Sequence, residues 1–434
     1  MGETISETSD TNKELKRWQR RIFWSVWISY ASFYLIRVNM SVAIPGIMAE
    51  YNITKTTMGI VLSALFTAYA AGQFLNGQLA DKFGARKFIS LGILVSAVLN
   101  IIFAFTNGVL GAMILIWALN GYFQSMGWGS AVKTIANWFP PKRRARFSAL
   151  LGTSYQIGNA VSWALAGFIV GLFGWRWAFF LPAAICIVIG LHWLIRGRNA
   201  PEEVGLPCVE KQECGIAEKK VEKDHHLGFK FTLKTVLTNK GIWAAALALF
   251  FLNIIRYGFM DWAPTYLFEV QKAAISKAAY KALIIPVAGS IGALFAAYTA
   301  KKYFQAKKAP VATIMLSLLA VFCFIYPRIP KDMWIFGLLC LAAIGFLTYG
   351  PHVMIVTSMP MDFGTRKAAA SAAGFIDGWG YIGAALTGVG TGWLVDTFSW
   401  SAAFDFWLMG AIGSAIIMAL LWYFGAGTAK SEYQ

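Results

Sequence analysis

Charge is what this chain of 434 residues has least of: only 14% of its residues are Asp, Glu, Lys or Arg, against 58% hydrophobic. A soluble domain carries roughly 25% charged residues, so this shortfall excludes a soluble globular fold. With a mean hydropathy of +0.57 it points to an integral membrane protein. Acids are the scarcer charge, 21 against 38 Lys and Arg, leaving a net charge of +17. That excess does not read as nucleic-acid binding, because the basic residues sit in short segments between apolar runs. The five cysteines are odd in number and lack framework spacing. Cys186, Cys323 and Cys340 lie in apolar runs as small hydrophobes. Cys208, Cys214, His225 and His226 fall in a charged linker without a usual zinc spacing. No metal and no cofactor is expected, and no nucleophile or nucleotide loop suggests an enzyme. The mixed-charge start, Met1 to Arg21, lacks the pattern of a cleavable signal peptide.

What the chain has in abundance is apolar runs of spanning length, about twelve of them. Six lie near 22–47, 57–80, 88–106, 109–131, 147–173 and 177–196. Six more lie near 241–268, 280–300, 310–327, 333–357, 368–395 and 401–425. This divides the chain into an N-terminal segment (1–21), a first bundle (22–197), a polar linker (198–240), a second bundle (241–425) and a tail (426–434). Lys and Arg concentrate on alternate connections, at Lys82-Arg86-Lys87, Lys142 to Arg146, the linker, Lys301 to Lys308 and Arg366-Lys367. The bias predicts cytoplasmic termini. Short loops favour a bacterial inner membrane, and the bilayer itself is the expected partner of a monomeric chain.

Two arginines interrupt this pattern. Arg37 lies in the 22–47 run, about 22 Å from its start and about 15 Å from its end at 1.5 Å per residue. A guanidinium at that depth costs several kcal/mol unless it meets a polar cavity or partner. Arg256 lies equally deep in the 241–268 run. Each arginine precedes a proline by eight residues, Pro45 and Pro264. Two such cations facing each other would repel unless an anion came between them, which makes a substrate anion the expected occupant. The halves also match elsewhere: Gly158, Gly167, Phe173, Trp175, Ala178 and Phe179 recur 225 residues later as Gly383, Gly392, Phe398, Trp400, Ala403 and Phe404. A duplicated six-helix unit predicts a midplane site between the halves, with alternating access by rocking one half on the other.

The loop Gly77-Gln-Leu-Ala-Asp81-Lys-Phe-Gly84-Ala-Arg86-Lys87 resembles the signature of the major facilitator superfamily. The likeness sharpens to its organophosphate:phosphate antiporters through Tyr34-Leu-Ile-Arg37 with Asn39, Gly121-Tyr-Phe-Gln124-Ser-Met-Gly-Trp128 and Arg256-Tyr-Gly-Phe-Met-Asp261-Trp-Ala-Pro-Thr-Tyr266-Leu. Tyr349-Gly-Pro351, Ala372-Ala-Gly-Phe375 and Gly380-Tyr381 extend it over nearly the whole chain. The resemblance implies an all-α membrane fold of twelve transmembrane helices in two pseudo-symmetric six-helix bundles. It implies exchange of an organic phosphate for inorganic phosphate, with Arg37 and Arg256 gripping the phosphate. Members of the family transport glycerol 3-phosphate or hexose phosphates, and one senses the latter.

Some positions depart from the family pattern. Gln73 stands where a lysine is common, Tyr155 where glycerol-phosphate members carry histidine, Val38 where a basic residue often follows the arginine, and Pro286 where an acid is found. The arginine pair suits a phosphate dianion, whose oxygens match guanidinium forks, and it also suits a carboxylate. Tyr30, Tyr34, Gln73, Gln124, Tyr155, Tyr349 and Tyr381 are the expected hydrogen-bonding lining. Asp377 reads equally as a proton carrier, an arginine partner or a substrate contact, and Asp261 as a pairing or gating residue. Alternatives are therefore a proton-coupled symporter of a non-phosphorylated organic anion and a transporter-like sugar-phosphate sensor. His192 and His352 carry no expected role.

Overall fold

A computed structural model describes residues 2–207, 209, 237–330, 332–360 and 369–424, without the side chains of 2–10, 74, 77, 78, 80–82, 141, 142, 145 and 369–371. Cys208, Cys214, His225, His226, Arg366, Lys367 and the side chain of Asp81 lie outside the described residues.

The first half comprises α1 (Gly2–Leu35), α2 (Asn39–Tyr51), α3 (Lys55–Phe83), α4 (Ala85–Phe103), α5 (Leu110–Gln124), α6 (Met126–Trp138), α7 (Pro141–Phe173) and α8 (Trp177–Arg196). The second comprises α9 (Lys240–Glu269), α10 (Ile275–Ala282), α11 (Ile284–Tyr303), α12 (Lys308–Ile325), α13 (Trp334–Val353), α14 (Ala369–Thr397) and α15 (Trp400–Tyr423). Joining α1 to α2, α5 to α6 and α10 to α11 gives the twelve crossings. Among the described residues, nine crossings are long and apolar enough by composition to span a membrane. The others are α3, the pair α5–α6 that bends at Ser125, and the Gly- and Ala-rich α14. Large apolar side chains cover the outside, among them Leu294, Val188 and Ile195.

Three details differ from the expected continuous spans. Helix α1 starts at Gly2, so much of the expected N-terminal segment is helical, consistent with its helix-favouring Glu, Lys and Arg residues. The first span breaks at residues 36–38. The tenth ends in a π-helical turn, Met354–Ser358, just past Pro351, whose missing N–H interrupts the helical ladder.

The internal repeat is visible as repeated contacts. A Cβ at Gly158 would come within 2.5 Å of Ala31 O, and one at Gly383 within 2.2 Å of Phe250 O. Each glycine thus lets its span lie against the arginine-bearing span of its own half. Trp175 Nε1 donates to Glu50 Oε2 at 2.8 Å, and Trp400 Nε1 to Glu269 Oε2 at 3.0 Å. Glu50 and Glu269 are 219 positions apart, the same interval as Arg37 and Arg256.

The halves meet chiefly through α3 on α14, α7 on α10 and α11, and α2 on α9. Toward the end of the bundle distal to the chain termini, these contacts are polar. Lys55 N and Thr56 N at the start of α3 donate to the Asp396 carboxylate at the end of α14 (3.3 and 2.7 Å), as does Thr56 Oγ1 (2.7 Å). A residue of one half therefore caps a helix of the other. Lys55 Nζ adds ion pairs to Glu269 (3.2 Å) and Asp396 (4.0 Å). Nearer the middle, Ser63 Oγ donates to Ala385 O and accepts from Val389 N at 2.9 Å. The distal end is closed.

Candidate anion site between the two halves

Arg37 stands in the break between α1 and α2, and the break is held by amides. Its neighbour's carbonyl, Ile36 O, accepts from Asn100 Nδ2 (3.0 Å), Asn120 Nδ2 (3.1 Å) and Gln124 Nε2 (3.0 Å). Asn39 Nδ2 donates to Asn100 Oδ1 and to Ala178 O, both at 2.9 Å. An interrupted helix in an apolar interior must have its freed backbone groups satisfied this way. Gln124 also accepts from Arg37 Nε, which fixes the guanidinium plane. Arg37 is 5% exposed, and its Nη1 and Nη2 have no hydrogen-bond partner. Arg256, on unbroken α9, is 6% exposed and has an unpartnered Nε.

Two tyrosine routes connect these arginines. On one side Arg37 lies over Tyr34 (4.9 Å), Tyr34 neighbours Tyr155 (6.2 Å), Tyr155 stacks on Tyr349 (6.5 Å), and Arg256 lies over Tyr349 (5.3 Å). On the other Arg37 lies over Tyr69 (4.7 Å), Tyr69 meets Tyr381 (4.4 Å), Tyr381 neighbours Tyr257 (6.3 Å), and Arg256 lies over Tyr257 (4.6 Å). The rings form a closed circuit, with the cations at opposite points and both halves contributing. Ring faces offset part of the cost of a buried guanidinium. Tyr257 and Tyr349 are also within hydrogen-bonding reach of Arg256, which leaves its Nε, like Arg37 Nη1 and Nη2, without a partner. The cations remain available to an anion.

Of the expected lining, Tyr34, Gln124, Tyr155, Tyr349 and Tyr381 belong to this arrangement. Tyr30 lies outside the circuit, packed on Tyr34 (6.1 Å) and Trp128 (5.0 Å). Gln73, one turn past Tyr69, is half-buried and makes none of the contacts that join the arginines. Asp261 is 7% exposed with an unpartnered Oδ2, and Asp377 is half-buried. Both are within Coulombic reach of both arginines. Among the described residues, no ion pair joins either acid to an arginine. His352, given no role from sequence, is buried against Tyr155 and Tyr349.

Sequence reasoning missed Tyr69, Tyr257, Asn100 and Asn120. The asparagines had a readable signal, since a carboxamide inside an apolar span is costly unless it bonds something. The loop motif is structural here. Gly84 turns the chain at a φ of 85°, Arg86 N donates to Asn199 Oδ1 (2.9 Å), and Arg86 Nε donates to Leu194 O (2.7 Å) at the end of α8.

Gln124→Leu leaves Arg37 Nε unbonded and is expected to weaken anion binding roughly tenfold, the cost of one lost charge-assisted hydrogen bond. Gln124→Glu is expected to weaken it further, because a carboxylate there neutralises Arg37. Displacement of labelled phosphate from purified protein measures both; equal affinities in wild type and Gln124→Glu would contradict the assigned geometry.

Residues 26–388 match the family model of the Major Facilitator Superfamily. The glycerol-3-phosphate transporter of Bacillus subtilis (strain 168) is 31% identical over 428 residues, 96% of each chain. A probable hexose phosphate transport protein of Chlamydia pneumoniae is 30% identical over 414 residues, 92% of this chain and 90% of that one. The membrane sensor protein UhpC of Escherichia coli (strain K12) is 26% identical over 412 residues, 92% of this chain and 91% of that one. In fold, a bacterial homologue of the human lysosomal transporter Spinster superposes with a TM-score of 0.76 at 14% identity, over 96% of this chain and 99% of that one.

Proposed function

The chain belongs to the Major Facilitator Superfamily, in its organophosphate:phosphate antiporter family, and from that premise we propose that it exchanges a small phosphorylated metabolite for inorganic phosphate. One observation carries the reading: buried arginines from opposite halves, linked through tyrosines, with N–H donors that no protein group uses. A phosphate between them would accept from both forks and cancel their repulsion. Because each half contributes one arginine, the anion joins the halves when bound, which suits a rocker-switch exchanger that reorients only when loaded. The closed distal end then faces away from the cytoplasm, with both termini cytoplasmic in an inner membrane. The relatives named for glycerol 3-phosphate and hexose phosphate support the substrate class.

Asp377 and Asp261, near both arginines yet unpaired with them, favour proton-coupled uptake of an organic anion as the second reading. Proteoliposomes preloaded with unlabelled phosphate separate the two. Entry of labelled phosphate that persists when the proton gradient is collapsed, and that sugar phosphates inhibit, is the expected result. Entry that requires the gradient and fails in Asp377→Asn would establish the symporter instead. Binding without flux would leave a sensor, as in the relative of that name.

A further inference from the structure

Beside the arginines, the site holds two buried side chains with polar atoms that no protein group satisfies. His352 is 9% exposed, and its Nδ1 has no partner. Its ring lies edge-on to Tyr155 (6.4 Å) and Tyr349 (6.1 Å) and within Coulombic reach of Arg256. Asn159 is 1% exposed, with an unpartnered Oδ1 and Tyr349 within hydrogen-bonding reach of its side chain. Asn159 follows Tyr155 by four positions on α7, and His352 follows Tyr349 by three on α13, so each pair shares a helix face. The two faces meet across the boundary between the halves at the Tyr155–Tyr349 stack.

Arginine only donates hydrogen bonds, so the phosphate grip offers nothing to a hydroxyl that must itself donate. Buried polar atoms without partners are rare, and each calls for a ligand or a cost. We propose that His352, in its Nε2–H tautomer, and Asn159 form a hydroxyl-reading subsite that accepts hydrogen bonds from the carbon skeleton of the substrate and sets its preference for hydroxylated over plain alkyl phosphates.

The inference rests on the proposed anion site. It places the hydroxylated carbons on the Arg256 side of the circuit, between α7 and α13. Inorganic phosphate needs only the arginines; a polyol phosphate uses both the arginines and the subsite. A carboxylate on the neighbouring carbon would bring lone pairs against lone pairs and be disfavoured there.

The test is displacement of labelled inorganic phosphate from the purified full-length protein by glycerol 3-phosphate and by n-propyl phosphate, which has the same carbon chain without hydroxyls. In the unmodified protein, glycerol 3-phosphate is expected to displace at a roughly tenfold lower concentration, from hydrogen bonds worth about 0.5–1.5 kcal/mol each. In His352→Leu and Asn159→Leu that preference should fall to about twofold or less, with the propyl phosphate midpoint unmoved. His352→Gln, which retains an acceptor, should recover part of it. No preference in the unmodified protein, or variants that weaken all three phosphates equally, would overturn the subsite. Failure of labelled phosphate to bind at all would overturn the anion site beneath it.

Discussion

Replacing Arg37 or Arg256 with alanine is expected to cut phosphate exchange at least about thirtyfold, with little further loss when both are replaced. Removing one partner of a buried charge pair costs about 2–5 kcal/mol, or roughly thirtyfold to several-thousandfold in affinity. The losses should not add, because a phosphate held by one cation no longer joins the two halves. Lysine at either position keeps the charge but loses the planar fork, so a loss of about tenfold is expected, smaller than for alanine. The ligand-free protein should respond in the opposite direction. Each guanidinium is buried among tyrosines without an ion pair, a cost that ring faces and Gln124 offset only in part and that a bound anion relieves further. Arg37→Ala should therefore melt no lower than wild type in the absence of phosphate. It should also lose the stabilisation that phosphate confers, about 2.7 kcal/mol at 100 times the dissociation constant. A variant that melts well below wild type without ligand, or is still stabilised by phosphate, would show that the cation has a structural role.

Much of this arrangement was legible in the sequence, and the limits have physical causes. Arg37 and Arg256 stood out because a charge inside an apolar run is expensive wherever the run sits. The repeat was legible because the same close helix crossings recur: Gly158 on α1, Gly383 on α9. Tyrosines were harder to read. The residue is equally suited to packing and to binding, and only tertiary structure distinguishes Tyr69, over which Arg37 lies, from Tyr30, which packs on Trp128. The break at residues 36–38 was not legible, because its stability comes from Asn100 on α4 and from Asn120 and Gln124 on α5. His352 was passed over for a similar reason: alone in its run it has no sequence neighbour to suggest a function, and its companions lie on α7.

Replacing Gly59 with valine is expected to hold the distal end open and to suppress exchange about five- to a hundredfold. A Cβ at Gly59 would lie 2.3 Å from Gly388 O and 2.9 Å from Val389 Cα, both backbone atoms of the other half. Rotamer changes cannot relieve such a contact, so the helices must separate. Gly392 offers the reciprocal case, with a Cβ 2.2 Å from Lys55 O. Overpacking of this kind costs about 1–3 kcal/mol, and alternate conformations of a protein typically differ by only a few kcal/mol. The clash is paid only in the closed state, so it acts directly on the conformational balance. Asp396→Ala should shift the balance in the same direction but less, since it removes the cap on α3 and one ion pair while Lys55 retains Glu269. Spin labels at Thr54 and Phe398, exposed at the distal end of opposite halves, report the outcome as a distance. Wild type should favour the short distance, Asp396→Ala a mixture, and Gly59→Val the long one. Unchanged distances with lost exchange would mean that the α3–α14 contact supports folding and does not gate access. The graded order would mean that the residues that cap and cushion this crossing set how often the arginines exchange their anion with each side.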